Sequence, residues 1–351
     1  MQEGKPSSVA EASKESLAAL VAAPRTETAM EALEAEGVYD DTRRVDARGE
    51  RVAIPVTEAP TATAVDEVRP LELPRRRRGL ETILAERGLA PETIDAAPSS
   101  WAVIGDIVLV DFGDVSAPDA LSSTRREAVG EALLELHGNA ETVLARGGID
   151  GPRRDPSVTV VAGADRTETV HAEHGTTYAI DFSTVMFSPG NKTERARMGR
   201  TVDPGERVFD MFAGIGYFTL PMARAGASVT ASEIDPAAHE LLVENAERNG
   251  VSDRVRAVLG DCRAVRPSAD RVVAGYYDAH EYLETALDAL NTDGVIHLHE
   301  ATPTPLFPER PIDRLRRAAT TENRPVDVLE TRVVKSHAAG VVHGVVDARI
   351  G

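Results

Sequence analysis

Asp210-Met211-Phe212-Ala213-Gly214-Ile215-Gly216-Tyr217-Phe218 decides how the second half of the chain reads. A strand, Arg207 to Phe212, carries an acidic residue near its end, and a tight Gly-x-Gly turn opens a helix, Tyr217 to Ala225. Glycines there remove side chains where backbone must pass close to a ligand. Thr219 stands where a dinucleotide fingerprint has its third glycine, and no Gly-Lys-Ser/Thr phosphate loop follows. A lone Gly-x-Gly is a weak signal, but two more strand ends strengthen it. Val229 to Glu233 ends in a carboxylate suited to both hydroxyls of a ribose. Leu259-Gly260-Asp261 supplies another, suited to an adenine amine. Three acidic strand ends in register point to a nucleoside site more strongly than three unrelated turns do.

From Arg207 the chain alternates strand and helix. Strands are expected at Ser228 to Glu233, Val255 to Leu259, Arg271 to Ala274 and Gly294 to His299. Helices are expected at Pro236 to Asn249, Glu281 to Leu290 and Pro311 to Thr321, before two closing strands. That spacing predicts a doubly wound, mostly parallel α/β sheet. Upstream, one amphipathic helix, Thr124 to His137, sits among short strand candidates, the pattern of an α+β domain. Residues 26–58 read as a small unit, a helix closed by Gly37 and a strand from Arg51 to Val56. Residues 1–25 read as a polar lead-in, and the proline-bearing stretch 57–74 as a linker. The expected division is 1–70, 71–182 and 183–351.

Acidic residues number 57 against 39 basic ones, a net charge of −18. Only Lys5, Lys14, Lys192 and Lys335 are lysine; the other basic residues are arginine. Dense carboxylate with lysine nearly absent fits a protein from a high-salt cytoplasm. Such a charge disfavours nucleic acid in ordinary buffer, an argument that weakens in molar salt, where counterion release contributes little. The single cysteine, Cys262, excludes internal disulfides and cysteine-rich zinc sites. No apolar run approaches the ~18 residues of a membrane helix, and the polar start lacks a signal-peptide core, so a cytoplasmic protein is expected.

Asp210 to Phe218, Glu233 and Asp261 resemble class I S-adenosylmethionine-dependent transferases. Val185 to Arg197, with Phe187-Ser188-Pro189-Gly190-Asn191-Lys192-Thr193-Glu194-Arg195, resembles the segment preceding the cofactor fold in the archaeal and eukaryotic enzymes that modify guanosine 37 of tRNA. Trp101 to Val110 and Gly151 to Gly163 resemble their middle domain, and 26–58 resembles the small N-terminal domain that reaches tRNA. The group has an N1-methylating branch and a wybutosine branch that transfers a 3-amino-3-carboxypropyl group. Methylating enzymes carry Asn-Leu-Pro or a similar triad after the fourth strand, where this chain has Gly275-Tyr276-Tyr277. They also tend to carry arginine where it has Gly190. Both departures, with His297-Leu298-His299-Glu300, resemble the wybutosine branch.

The resemblance implies a Rossmann-like S-adenosylmethionine domain and a tRNA substrate engaged at position 37, with no metal, no membrane and a monomeric enzyme. The cofactor would meet Phe187, Asp210, Phe212, Ala213, Gly214, Gly216, Glu233, Ile234, Asp261, Cys262 and Gly275. Glu194, Arg154 and Tyr276 are the candidate catalytic residues. Arg75, Arg76, Arg77, Arg78, Asn191, Lys192, Arg195 and Arg197 are the candidate RNA contacts. His297 and His299 alternate on one strand without metal-ligand spacing, so a structural role is expected. Open alternatives are a guanosine-37 N1-methyltransferase, a non-catalytic tRNA-binding protein with a vestigial pocket, and a small-molecule methyltransferase.

Overall fold

The computed structural model describes residues 16–74, 79–113, 120–150 and 155–351. The chain divides into two compact units, Met1–Gly79 and Leu80–Gly351. The expected lead-in contains β1 (Ser16–Ala22), whose Ala18, Ala19, Leu20 and Val21 are all buried. Its apolar residues run without alternation because both faces are covered, so the period-2 signal is absent. The helix α1 (Thr26–Glu36) ends at Gly37, whose φ of 77° gives the left-handed C-cap. With β2 (Asp46–Arg48), β3 (Arg51–Val56) and β4 (Glu67–Leu71), β1 forms a sheet of order β2-β3-β1-β4. The strand β4 lies in the expected linker. Its Pro70 sits on an edge strand, where a missing N–H is tolerated.

In the second unit, α2 (Leu80–Glu86) and α3 (Pro91–Asp95) precede β5 (Trp101–Ile104) and β6 (Ile107–Val110). The helix α4 (Ser123–Leu136) starts where Ser122 Oγ accepts the Arg125 N–H. Then come β7 (Thr142–Asp150) and β8 (Asp155–Gly163), closing a sheet of order β5-β6-β7-β8, and a hairpin of β9 (Glu168–Glu173) and β10 (Thr176–Asp181). Ile104, Ile107, Leu109 and Leu144 of that sheet, and Tyr178 and Ile180 of the hairpin, share one core cluster with Val208, Leu220 and Leu242 further along. Residues 80–182 and the region after them are therefore packed as one body.

After α5 (Lys192–Thr201) comes the α/β alternation: β11 (Arg207–Asp210), α6 (Thr219–Arg224), β12 (Ser228–Glu233), α7 (Pro236–Arg248) and β13 (Val255–Leu259). It continues through β14 (Ala269–Ala274), α8 (Leu283–Ala289), β15 (Leu290–Pro303), α9 (Glu309–Thr321), β16 (Val326–Ala338) and β17 (Val341–Ile350). The sheet order is β13-β12-β11-β14-β15-β17-β16. Its first five strands are parallel, whereas β17 runs antiparallel to β15 and to β16. The order reverses between β11 and β14, so a crevice opens beyond the carboxyl ends of these strands. One face of the sheet packs on α6 and α7, the other on α8 and α9.

Candidate active site

A cleft of about 850 Å³ occupies that crevice. Gly214 follows β11, Glu233 to Asp235 end β12, Gly260 to Cys262 follow β13, and Gly275 to Tyr277 follow β14. Phe187, Ser188 and Asn191 line it from the segment before α5, and Lys335, His337 and His343 from the final hairpin. Every lining residue belongs to the second unit.

The Gly-x-Gly turn needs both glycines, for different reasons. Gly214 has φ 55°, and a Cβ there would run into the Tyr217 ring. Gly216 has φ 101°, and a Cβ there would come 2.7 Å from Leu220 Cγ and 3.1 Å from Leu242 Cδ1. The Gly214 N–H donates to Glu233 Oε2 at 2.7 Å, and the Asp235 N–H to Oε1 at 2.8 Å. Glu233 is thus fixed at the cleft wall, and burial raises its carboxyl above the ordinary value against the pull of those amides. Asp261 accepts the Arg263 N–H at 2.9 Å and pairs with its guanidinium, which holds the carboxyl below its usual range. The buried Cys262 thiol is pushed up to about 12, chiefly by desolvation, which leaves it inert as a nucleophile.

Consecutive tyrosines pack on different neighbours. The Tyr276 ring lies 5.2 Å from Phe212, which meets Tyr282 at 5.1 Å. Tyr277 stacks edgewise on His337 at 4.4 Å and on His343 at 4.9 Å. His299 Nδ1 and His343 Nε2 are 2.9 Å apart, and burial holds both imidazoles far below the ordinary histidine value, so both are neutral.

The sequence-derived cofactor set divides in two. Phe187, Phe212, Gly214, Glu233, Ile234, Asp261, Cys262 and Gly275 line the cleft. Asp210, Ala213 and Gly216 are buried behind its wall instead. Asp210 Oδ2 accepts the Thr219 hydroxyl at 2.7 Å, and burial lifts its carboxyl to about 6. It ties the strand end to the start of α6 and has no surface to offer a ligand.

Among the proposed catalytic residues, Tyr276 lines the cleft and Glu194 does not. Glu194 is buried and paired twice with the Arg332 guanidinium. Arg332 and Arg197 each reach Asp347 Oδ2 at 2.7 Å, and His297 Nδ1 lies 2.7 Å from Oδ1. Arg271 donates to His297 Nε2 at 2.6 Å and pairs with Glu206 at 2.8 Å, so the His297 proton sits on Nδ1, facing Asp347. Glu194 and Arg197, one helical turn apart, thus turn inward and fasten α5 to β16 and β17. Arg195 lines the cleft, but it forms a two-pronged pair with the buried Glu173 and lies 4.7 Å over the Phe187 ring. Arg195 and Arg197 therefore spend their charge inside the protein and are not set for phosphate. Asn191 lines the cleft, and Lys192 is exposed at the start of α5. Arg154 and Arg75 to Arg78 lie outside the described residues. His297 is held between Asp347 and Arg271, and the equally buried His299 pairs with His343 at the cleft. Tyr277, part of the strand-end triad read from the sequence, lines the cleft too, and Ser188, Lys335 and His343 are cleft residues that the sequence did not assign to the site. Among the described residues no cluster of His, Cys, Asp and Glu is arranged to hold a metal, and no helix is long and apolar enough to cross a membrane.

Residues 169–329 match the TRM5/TYW2 methyltransferase domain model, and residues 80–167 match the TYW2 N-terminal domain model. The chain is 36% identical over 282 residues to the tRNA(Phe) (4-demethylwyosine(37)-C(7)) aminocarboxypropyltransferase of Pyrococcus horikoshii, covering 78% of this chain and 99% of that protein. It is 32% identical over 316 residues to the tRNA (guanine(37)-N(1))-methyltransferase Trm5b of Pyrococcus abyssi, covering 90% of this chain and 93% of that protein. The crystal structure of P. horikoshii TYW2 in complex with MeSAdo superposes with a TM-score of 0.66 at 34% identity, over 77% of this chain and 97% of that one. Sheet order, glycine turn, acidic strand ends and near-full-length likeness agree: the chain belongs to the TRM5/TYW2 family of S-adenosylmethionine-dependent tRNA-modifying enzymes.

Proposed function

We propose that the chain transfers the 3-amino-3-carboxypropyl group of S-adenosylmethionine to C7 of 4-demethylwyosine at position 37 of tRNA(Phe), with methylthioadenosine as the other product. The cleft fits the donor. Gly214 lines it without a side chain, Glu233 and Asp261 supply carboxylate acceptors for ribose hydroxyls and an adenine amine, and Phe212, Tyr276 and Tyr282 supply flat apolar surface. When bound, S-adenosylmethionine supplies a sulfonium with three activated carbons, and the one in line with the nucleophile is transferred.

The observation that carries this reading is the strand end Gly275-Tyr276-Tyr277. Gly275 packs on Phe218, where a Cβ would come 2.9 Å from the ring, and no oriented amide stands there. Tyr276 and Tyr277 line the cleft with aromatic rings, suited to stacking on a nucleobase. Phe187, Phe212, Gly214, Glu233, Ile234, Asp261, Cys262 and Gly275 hold the donor in this account. Asp210, Ala213 and Gly216 shape the loop from behind, and Glu194 and Arg197 brace α5. Residues 1–70 serve as a tRNA-recognition domain, and the enzyme acts as a cytoplasmic monomer.

A second reading, N1-methylation of guanosine 37, is favoured by the Trm5b likeness over 90% of the chain. Two tRNA(Phe) preparations separate the two, one bearing 4-demethylwyosine and one bearing guanosine at position 37. With carboxyl-labelled S-adenosylmethionine, the first should become labelled and the second should not. Transfer of a methyl label to guanosine 37 would establish the second reading instead.

A further inference from the structure

We propose that Lys335 is a specificity-determining residue that holds the α-carboxylate of S-adenosylmethionine. The inference rests on the reading that this donor occupies the cleft, and it names what fixes the donor's amino-acid arm.

Lys335 lies on β16, and its Nζ donates to Ser188 Oγ at 2.6 Å, both residues lining the cleft. Its side chain runs beside Gly190: a Cβ there would lie 3.3 Å from Lys335 Cδ and 3.9 Å from Nζ. The absence of a side chain at position 190 leaves this space to the lysine. A cation is thus delivered to this part of the cleft from the closing strands and not from the segment before α5.

The sheet order places this charge. Glu233 and Asp261, the nucleoside acceptors, end β12 and follow β13 on one side of the switch point. Lys335 comes from β16, at the other edge of the sheet. A donor with its adenosine against Glu233 and Asp261 extends its amino-acid arm toward β14, β15 and the final hairpin. The charge is also of the right kind. His343 stays neutral, through burial first and the facing His299 and Lys335 next. A carboxylate arriving here meets an ammonium and the Ser188 hydroxyl.

Composition gives an independent pointer. In a chain whose basic residues are almost all arginine, one of four lysines stands in the cleft. An ammonium is a compact point charge, and a guanidinium is a longer planar fork. The narrow space between Ser188 and Gly190 suits the first. Anchoring the arm at its carboxylate fixes Cγ as well as sulfur, a constraint that transfer of the whole arm requires and methyl transfer does not.

The test is binding of three ligands by calorimetry: S-adenosylmethionine, its decarboxylated analogue and methylthioadenosine. The wild type should bind S-adenosylmethionine about 10- to 100-fold more tightly than the decarboxylated analogue, the range of one charge-assisted hydrogen bond. Lys335→Met should abolish that preference and leave methylthioadenosine affinity within about twofold. Equal wild-type affinities, unchanged S-adenosylmethionine binding in the variant, or equal weakening of all three ligands would overturn the proposal. Release of S-adenosylhomocysteine by the wild type would sink the aminocarboxypropyl reading separately, without altering these binding ratios.

Discussion

Glu233 keeps its carboxylate aimed at the cleft by accepting two backbone amides, from Gly214 and Asp235. Replacing it with alanine should weaken S-adenosylmethionine and methylthioadenosine alike, by about 10- to 100-fold, because both carry the ribose. Calorimetry checks this, and a loss confined to S-adenosylmethionine would contradict the assigned role. Gly216→Ala sets a side chain at φ 101° against Leu220 and Leu242. It should cost roughly 1–3 kcal/mol of stability in denaturant melts. These residues were legible in the sequence because their chemistry is local: the glycine turn and each acidic strand end can be read within its own short window. Lys335 and Glu194 were not. Lys335 reaches Ser188 across 147 positions, and Glu194 meets Arg332 across 138, so no window along the chain contains either pair. A helix start with Glu194, Arg195 and Arg197 looks the same in sequence whether it faces a ligand or its own sheet.

At the scale of elements, Asp347 is where α5, β15, β16 and β17 meet, through Arg197, His297 and Arg332. Burial would raise its carboxyl, but these partners outweigh burial and hold it far below the usual range. Asp347→Ala strands the buried His297 and two part-buried arginines and should destabilise the second unit by about 3–5 kcal/mol in chemical denaturation. The His299–His343 pair gives β15 and β17 a pH dependence of definite sign. Both groups have folded values below the ordinary 6.5, so below that pH the unfolded chain binds protons that the native state refuses. Stability from this pair is complete above about 6.5 and falls as pH drops toward the depressed values. A His299→Gln, His343→Gln variant should show a flatter acid limb in thermal melts, and an unchanged slope would remove the pair from the account. The α/β alternation was readable because each element carries its own periodicity. The strands β1 and β4 were not, since β1 is apolar on both faces and β4 carries a proline and mixed exposure.

The whole molecule carries −18 charges on two units with separate cores. Self-repulsion of that size is screened by salt, so the unfolding midpoint should rise with added potassium chloride. A midpoint independent of salt would contradict a surface adapted to concentrated brine. The sequence made this charge plain, but not how the buried arginines spend theirs, which only the fold shows. The central claim is that this cleft presents Cγ, not the methyl carbon, of its donor. Chromatography of the small molecule released from S-adenosylmethionine and tRNA(Phe) bearing 4-demethylwyosine tests it most directly. The account predicts methylthioadenosine, one per modified tRNA, and S-adenosylhomocysteine in its place would contradict it.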